Sequence, residues 1–121
     1  MARPETPPSL TFFILLNALP AWLSLSRQER STAWQTPDIG AALSVPDTLS
    51  LRFFDAEAFT AMCSDVLMVE TRDIDAYNDF IEAVRDSPVF AKPYFDLVAI
   101  IPALEEGFRR YEARRASGAS Q

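Results

Sequence analysis

Two carboxylates, Asp65 and Glu70, bracket the apolar run Val66-Leu67-Met68-Val69, and they are the residues of this chain best set to move protons. Such a run reads as a strand buried on both faces. The two carboxylates stand five positions apart, so they point to opposite faces and cannot flank one substrate. Glu70 shares its face with Val66 and Met68. Apolar surroundings disfavour the charged form of a carboxylate, a property useful to a general acid or base near neutral pH. The structural alternative is an ion pair between Glu70 and Arg52 on a neighbouring strand. Arg52 is the candidate anion stabiliser, with Phe54 beside it on the same strand face. Tyr77 and Asn17 are the candidate hydrogen-bond donors, and a buried tyrosine hydroxyl needs a partner. Glu57, in a loop with Asp55, is either within reach of a pocket mouth or simply solvated. Trp22, Trp34, Phe90 and Tyr94 offer aromatic walls for a small apolar molecule, or core packing.

Other chemistries lack their residues. The chain has no histidine, which removes the commonest general base, the commonest zinc and haem ligand and the Ser-His-Asp triad. Cys63 is the single cysteine, lies next to Met62 and has no local base partner, so it reads as a buried bystander and excludes an internal disulfide. Three glycines, with no phosphate-binding motif among them, give no basis for a nucleotide site. No metal and no cofactor is expected, although flavin can bind without a motif.

A length of 121 residues is one domain's worth, with 49% hydrophobic and 23% charged residues, as in globular proteins. A net charge of -6 argues against nucleic acid. The one basic cluster, Arg109, Arg110, Arg114 and Arg115, reads as a solvated or dipole-matched face of a terminal helix. Residues 6–26 carry no charge, yet the apolar part runs only from Leu10 to Leu19 and is flanked by prolines, short of the roughly 20 residues a spanning helix needs. Arg3 is offset by Glu5, unlike a secretory signal. The expectation is a cytoplasmic protein without membrane contact.

Positioning these residues requires a sheet and helices. Strands are predicted over 10–16, 48–54, 65–70 and 95–101, the last closed by Pro102. Residues 20–23 read as a turn leading to a capping box, Ser26 with Glu29. The helix it opens meets Pro37 and Gly40, so it kinks or stops near Gln35 and restarts with Thr36 as cap. Trp34, Ile39, Ala42 and Leu43 form its inner side. The loop 55–63 is long enough for a helical turn. Asp73 caps a second helix with Ile74, Tyr77, Phe80, Ile81 and Val84 on one stripe, ended by Pro88. A third helix begins at Pro102-Ala103 and carries Leu104, Phe108 and Tyr111. Residues 1–9 are expected to be a flexible arm, 10–116 the domain and 117–121 a disordered tail.

The order of elements is the βαββαβ pattern of ferredoxin-like α+β folds, followed by a C-terminal helix. In that fold the helices cover one sheet face, yet these strands are apolar on both. A homodimer that packs sheet on sheet would cover the other face.

The segments PAWLSLSRQER at 20–30, LRFFDAEAFTAMCSDV at 51–66, DAYNDFIEAVRDSPVFAKPYF at 75–95 and IIPALEEGFRRYE at 100–112 resemble the darcynin family of small bacterial proteins. The resemblance implies a fold of the dimeric α/β barrel type and leaves the function open. The functional expectation is a homodimer that binds a small apolar molecule, as a cofactor-independent enzyme of acid/base chemistry: isomerisation, cyclisation or elimination. Glu70 or Asp65 would be its acid or base. Two alternatives are a non-catalytic dimeric binding module and a cofactor-free or flavin-assisted monooxygenase.

Overall fold

A computed structural model describes residues 7–118. The expected arm and tail fall mostly outside this range. Four strands, β1 (Leu10–Ala18), β2 (Leu49–Asp55), β3 (Asp65–Thr71) and β4 (Phe95–Leu104), form one antiparallel sheet in the order β2-β3-β1-β4. This is the ferredoxin-like order, with the first strand in the interior and the second and fourth at the edges. Among the described residues there are also six helices: α1 (Pro20–Leu23), α2 (Arg27–Trp34), α3 (Pro37–Leu43), α4 (Ile74–Asp86), α5 (Pro88–Ala91) and α6 (Gly107–Ser117).

Strand alternation decides what is buried. Phe12, Ile14 and Leu16 of β1, Leu49 of β2, Leu67 and Val69 of β3 and Phe95 of β4 enter the core. Helix α4 meets this face through Ala76, Phe80, Ile81 and Val84. Burying Phe80, Ile81 and Val84 is worth roughly 1.5–3 kcal/mol each, which holds the helix on the sheet. The intervening strand residues turn to the opposite, open face: Phe13, Leu15, Val66 and Met68 are half-buried, and Phe54 and Ile101 are 41% and 49% exposed.

Local signals account for most boundaries. The capping box at Ser26 is complete: the Glu29 amide donates to Ser26 Oγ and the Ser26 amide donates to Glu29 Oε1. Asp73 accepts the amides of Asp75 and Ala76. Of the two outcomes open for the first helix, the chain takes the break, with α3 starting at Pro37. Thr36 caps without its side chain, because its hydroxyl donates back to the Ala33 carbonyl.

Several boundaries differ from expectation. Residues 20–23 form the helical turn α1, since Pro20 sits at the first helical position, where its missing N–H costs nothing. Pro88 acts the same way: it ends α4 and starts α5, with the Ser87 hydroxyl accepting the Val89 amide. Strand β1 runs on to Ala18. Strand β4 does not stop at Pro102 but continues to Leu104, because an edge strand can turn a missing donor away from its partner. A bulge at Val98 shifts the β1/β4 register between Leu15 and Leu16. Loop 56–64, in contrast, holds the single helical turn for which it is long enough, the amides of Phe59 and Thr60 both donating to the Ala56 carbonyl. Ile74, on the flank of the α4 stripe in its first turn, is 53% exposed. The last helix begins at Gly107, after Glu106 in the left-handed region (φ 47°), and buries none of its residues, so the stripe Leu104, Phe108 and Tyr111 stays exposed.

Candidate functional site

The sheet divides the candidate residues into two groups. Glu70, Arg52, Met68 and Phe54 stand on the open face, in register with one another: Ser50 pairs with Glu70, Arg52 with Met68 and Phe54 with Val66. Arg52 is thus a diagonal neighbour of Glu70, on the order of 7–8 Å away between backbones. No ion pair joins them. The expected Glu70–Arg52 bridge is replaced by a cation–π contact, with the Arg52 guanidinium carbon 5.2 Å from the Phe54 ring centre. Asn17 shares this face, but Glu70 lies beside Thr11, six positions up β1, which puts Asn17 about 20 Å away.

A surface groove of about 480 Å³ opens beside Glu70, lined also by Ser9, Asp47, Thr48, Ser50 and Arg72. Ser50 and Arg72 were not singled out from sequence. The available signal was parity: Ser50 alternates with Arg52, and Arg72 follows two residues after Glu70.

Asp65 and Tyr77 belong to the other side: Asp65 is apart from Glu70, as their odd spacing implies, and Tyr77 is apart from both Glu70 and Arg52. Asp65 sits at the end of β3, paired with Asp55 on β2, and accepts a hydrogen bond of 2.7 Å from the Ser64 hydroxyl. Burial raises the Asp65 pKa above the ordinary aspartate value; the Ser64 bond opposes this and the nearby Asp55 and Glu57 charges add to it. Glu57 is exposed in the β2–β3 connection. The Tyr77 ring stacks on Phe12 at 3.7 Å between centres, and its pKa is raised by burial, with Arg85 acting against this.

The aromatic residues pack together. Trp22 lies 5.1 Å from each of Trp34, Tyr94 and Phe95. Trp34 and Phe90 border a void between sheet and helices that measures about 20 Å³. That is room for about one water molecule. The expected cavity between sheet and helices is therefore filled, by Trp34, Phe53, Phe90 and their neighbours. A haem or flavin ring does not fit there, and the chain has no histidine for an iron.

The outer side of the helical layer carries two adjoining grooves, of about 480 and 750 Å³, that share Asp38, Pro88 and Lys92. Tyr94 lines the first, and Lys92 Nζ donates to its hydroxyl at 3.3 Å. Cys63 is buried and free. Among the described residues no cluster of three or more His, Cys, Asp or Glu is placed to hold a metal ion, and no helix is long and apolar enough to cross a membrane.

Known structures share this architecture. Chlorite dismutase from Candidatus Nitrospira defluvii in complex with imidazole aligns with a TM-score of 0.65 at 9% identity, covering 81% of this chain and 40% of that one. A variant of the same protein reaches 0.69 at 14% identity over 92% of this chain and 46% of that one. The chain spans under half the length of these structures, and at such identities the likeness concerns fold alone. Sequence relatives are closer. Darcynin of Chromobacterium violaceum is 56% identical over 66 residues, 54% of this chain and 84% of that one. A Darcynin homolog of Streptomyces avermitilis is 34% identical over 110 residues, 91% of this chain and 90% of that one. The model of the family described as "Darcynin, domain of unknown function" matches residues 1–120, and the chain belongs to that family.

Proposed function

We propose that this chain is a small-molecule-binding protein that works as a homodimer through its open sheet face, and that it carries out acid/base chemistry without a cofactor. The supporting observation is the open face itself: Glu70 and Arg52, diagonal neighbours, lie among Phe13, Val66, Met68 and Phe54 and beside a groove of about 480 Å³. The chemistry available is proton abstraction by Glu70, with Arg52 stabilising the negative charge that develops on the substrate. Met68 and Phe54 would contact its apolar body. A second copy over the face would exclude water and strengthen both interactions.

Isomerisation, cyclisation or elimination of a small apolar substrate that carries an acidic C–H fits this arrangement. Asp65 and Tyr77, on the far side of the sheet, take no part in it. The test is a screen of such substrates for proton exchange with solvent, with Glu70→Gln and Arg52→Met as controls. Loss of exchange in Glu70→Gln by 100-fold or more is expected, the usual scale of a general base. Unchanged exchange would remove Glu70 from the role.

A second reading is a non-catalytic binding module, which the filled interior and the Lys92–Tyr94 groove favour. In that case ligands would protect Lys92 from amine reagents and leave the open-face variants unaffected.

A further inference from the structure

We infer that α6 is the clasp of the homodimer, docking on a second copy of this chain; this rests on the dimer reading above. Three observations converge. First, α6 is folded but buries none of its residues, and Phe108 and Tyr111, three positions apart and so on one side of the helix, are 58% and 55% exposed. The open sheet face of the same chain also leaves Phe54 and Ile101 exposed, so the chain leaves two apolar surfaces uncovered.

Second, the charges are unlike. The chain has 17 acidic and 11 basic residues, and α6 holds four of the arginines against the carboxylates of Glu112 and of Glu106 at its N-cap, the latter paired with Arg109. The remainder of the molecule is therefore strongly acidic. Two of its carboxylates, Glu70 and Asp96, stand on the open face, Asp96 in register with Asn17. A basic helix and an acidic body attract, and like-charged bodies without such a helix would repel.

Third, the arginines lie against the aromatic rings. The Arg109 guanidinium is 5.4 Å from the Phe108 ring centre and that of Arg115 is 5.7 Å from Tyr111. Apolar contact and charge are thus presented together, with the aromatic and arginine composition typical of interface anchors.

The experiment is sedimentation velocity over a concentration series at 50 and 500 mM NaCl, on the full chain and three full-length variants: Phe108→Ser/Tyr111→Ser, Arg114→Glu/Arg115→Glu, and Met68→Glu on the open face. The substituted α6 residues are exposed, so circular dichroism should show an unchanged fold. The wild type is expected to dimerise more weakly at high salt. The aromatic double variant should raise the dimer Kd about tenfold or more, and the charge reversal should weaken the dimer and abolish its salt dependence. If both α6 variants dimerise as the wild type does while Met68→Glu dissociates, the clasp is wrong and the face-to-face dimer stands. A wild type that is monomeric at every concentration overturns both. Binding of that monomer to anionic phosphatidylserine vesicles, lost in the α6 variants, would assign the helix to a lipid surface instead.

Discussion

The two faces of the sheet are made by alternate residues of the same four strands, yet they have different fates. Ile14 is 1% exposed and fully enclosed by helices, while its neighbour Leu15 is half-buried on the side no core residue covers. The covered face carries aromatic and aliphatic residues packed around a void for one water, so its job is stability. The open face mixes apolar side chains with Glu70 and Arg52, which are not paired with each other. On the function proposed above, this uncovered surface serves a partner, a ligand or both.

The contrast can be broken most directly by truncating adjacent residues. Ile14→Ala should cost about 2–5 kcal/mol in urea unfolding at any protein concentration. Leu15→Ala should cost under about 1.5 kcal/mol at high dilution, with a deficit that grows with concentration as dimer accumulates. Equal, concentration-independent losses at the two positions would mean that the faces do not differ.

On a smaller scale, Ser26→Ala removes one half of the capping box and should cost about 1 kcal/mol, read from thermal melts, whatever happens on either sheet face. Its independence from dimer concentration is the control for Leu15.

Asp65→Asn tests the polar end of the covered face. The Asp65 pKa is raised in the folded protein, so the native state holds the proton more tightly than the unfolded chain. The benefit is present below the unfolded aspartate value and is lost as pH rises through the higher folded value. Asparagine should therefore raise the melting temperature slightly at pH 7, and the gain should vanish as pH falls to the acid range. A gain that persists unchanged at low pH would mean that charge is not its origin.

The smallest effect belongs to Tyr77→Phe. The stack on Phe12 uses the ring alone, so stability should change by less than about 0.5 kcal/mol and turnover of any substrate not at all. A large loss of turnover would return Tyr77 to the site.

Much of the fold was legible because strands and helices carry different hydrophobic periods: the apolar runs at 10–16, 65–70 and 95–101 read as strands, and Tyr77, Phe80, Ile81 and Val84 read as one helical stripe. Caps at Ser26 and Asp73 were equally plain, since the side chain and its target amides are a few residues apart. Prolines need more context to place. Pro88 ends α4 as its position implies and also starts α5, Pro20 starts a helical turn, and Pro102 is tolerated inside a strand because that strand lies at the sheet's edge. The candidate site was harder. Parity separates Asp65 from Glu70, but nothing local says which face α4 covers, so Tyr77 could not be assigned to a side. The filling of the interior by Trp34, Phe53 and Phe90 depends on contacts between segments far apart in the chain. Arg52 illustrates the same limit: two acceptors were within reach, a carboxylate on the next strand and a ring on its own, and the guanidinium lies over the ring.

Strand β4 is an edge strand with one free margin, and it carries two irregularities, a bulge in its pairing with β1 and a proline. The extra residue at Val98 bends the strand, and Pro102 deletes a donor from its backbone. A margin with these defects is a poor template for another strand, so ribbon-like growth and fibre formation are discouraged there. In the dimer proposed above, copies of this chain would meet broadside and finish as closed pairs instead of propagating as stacks.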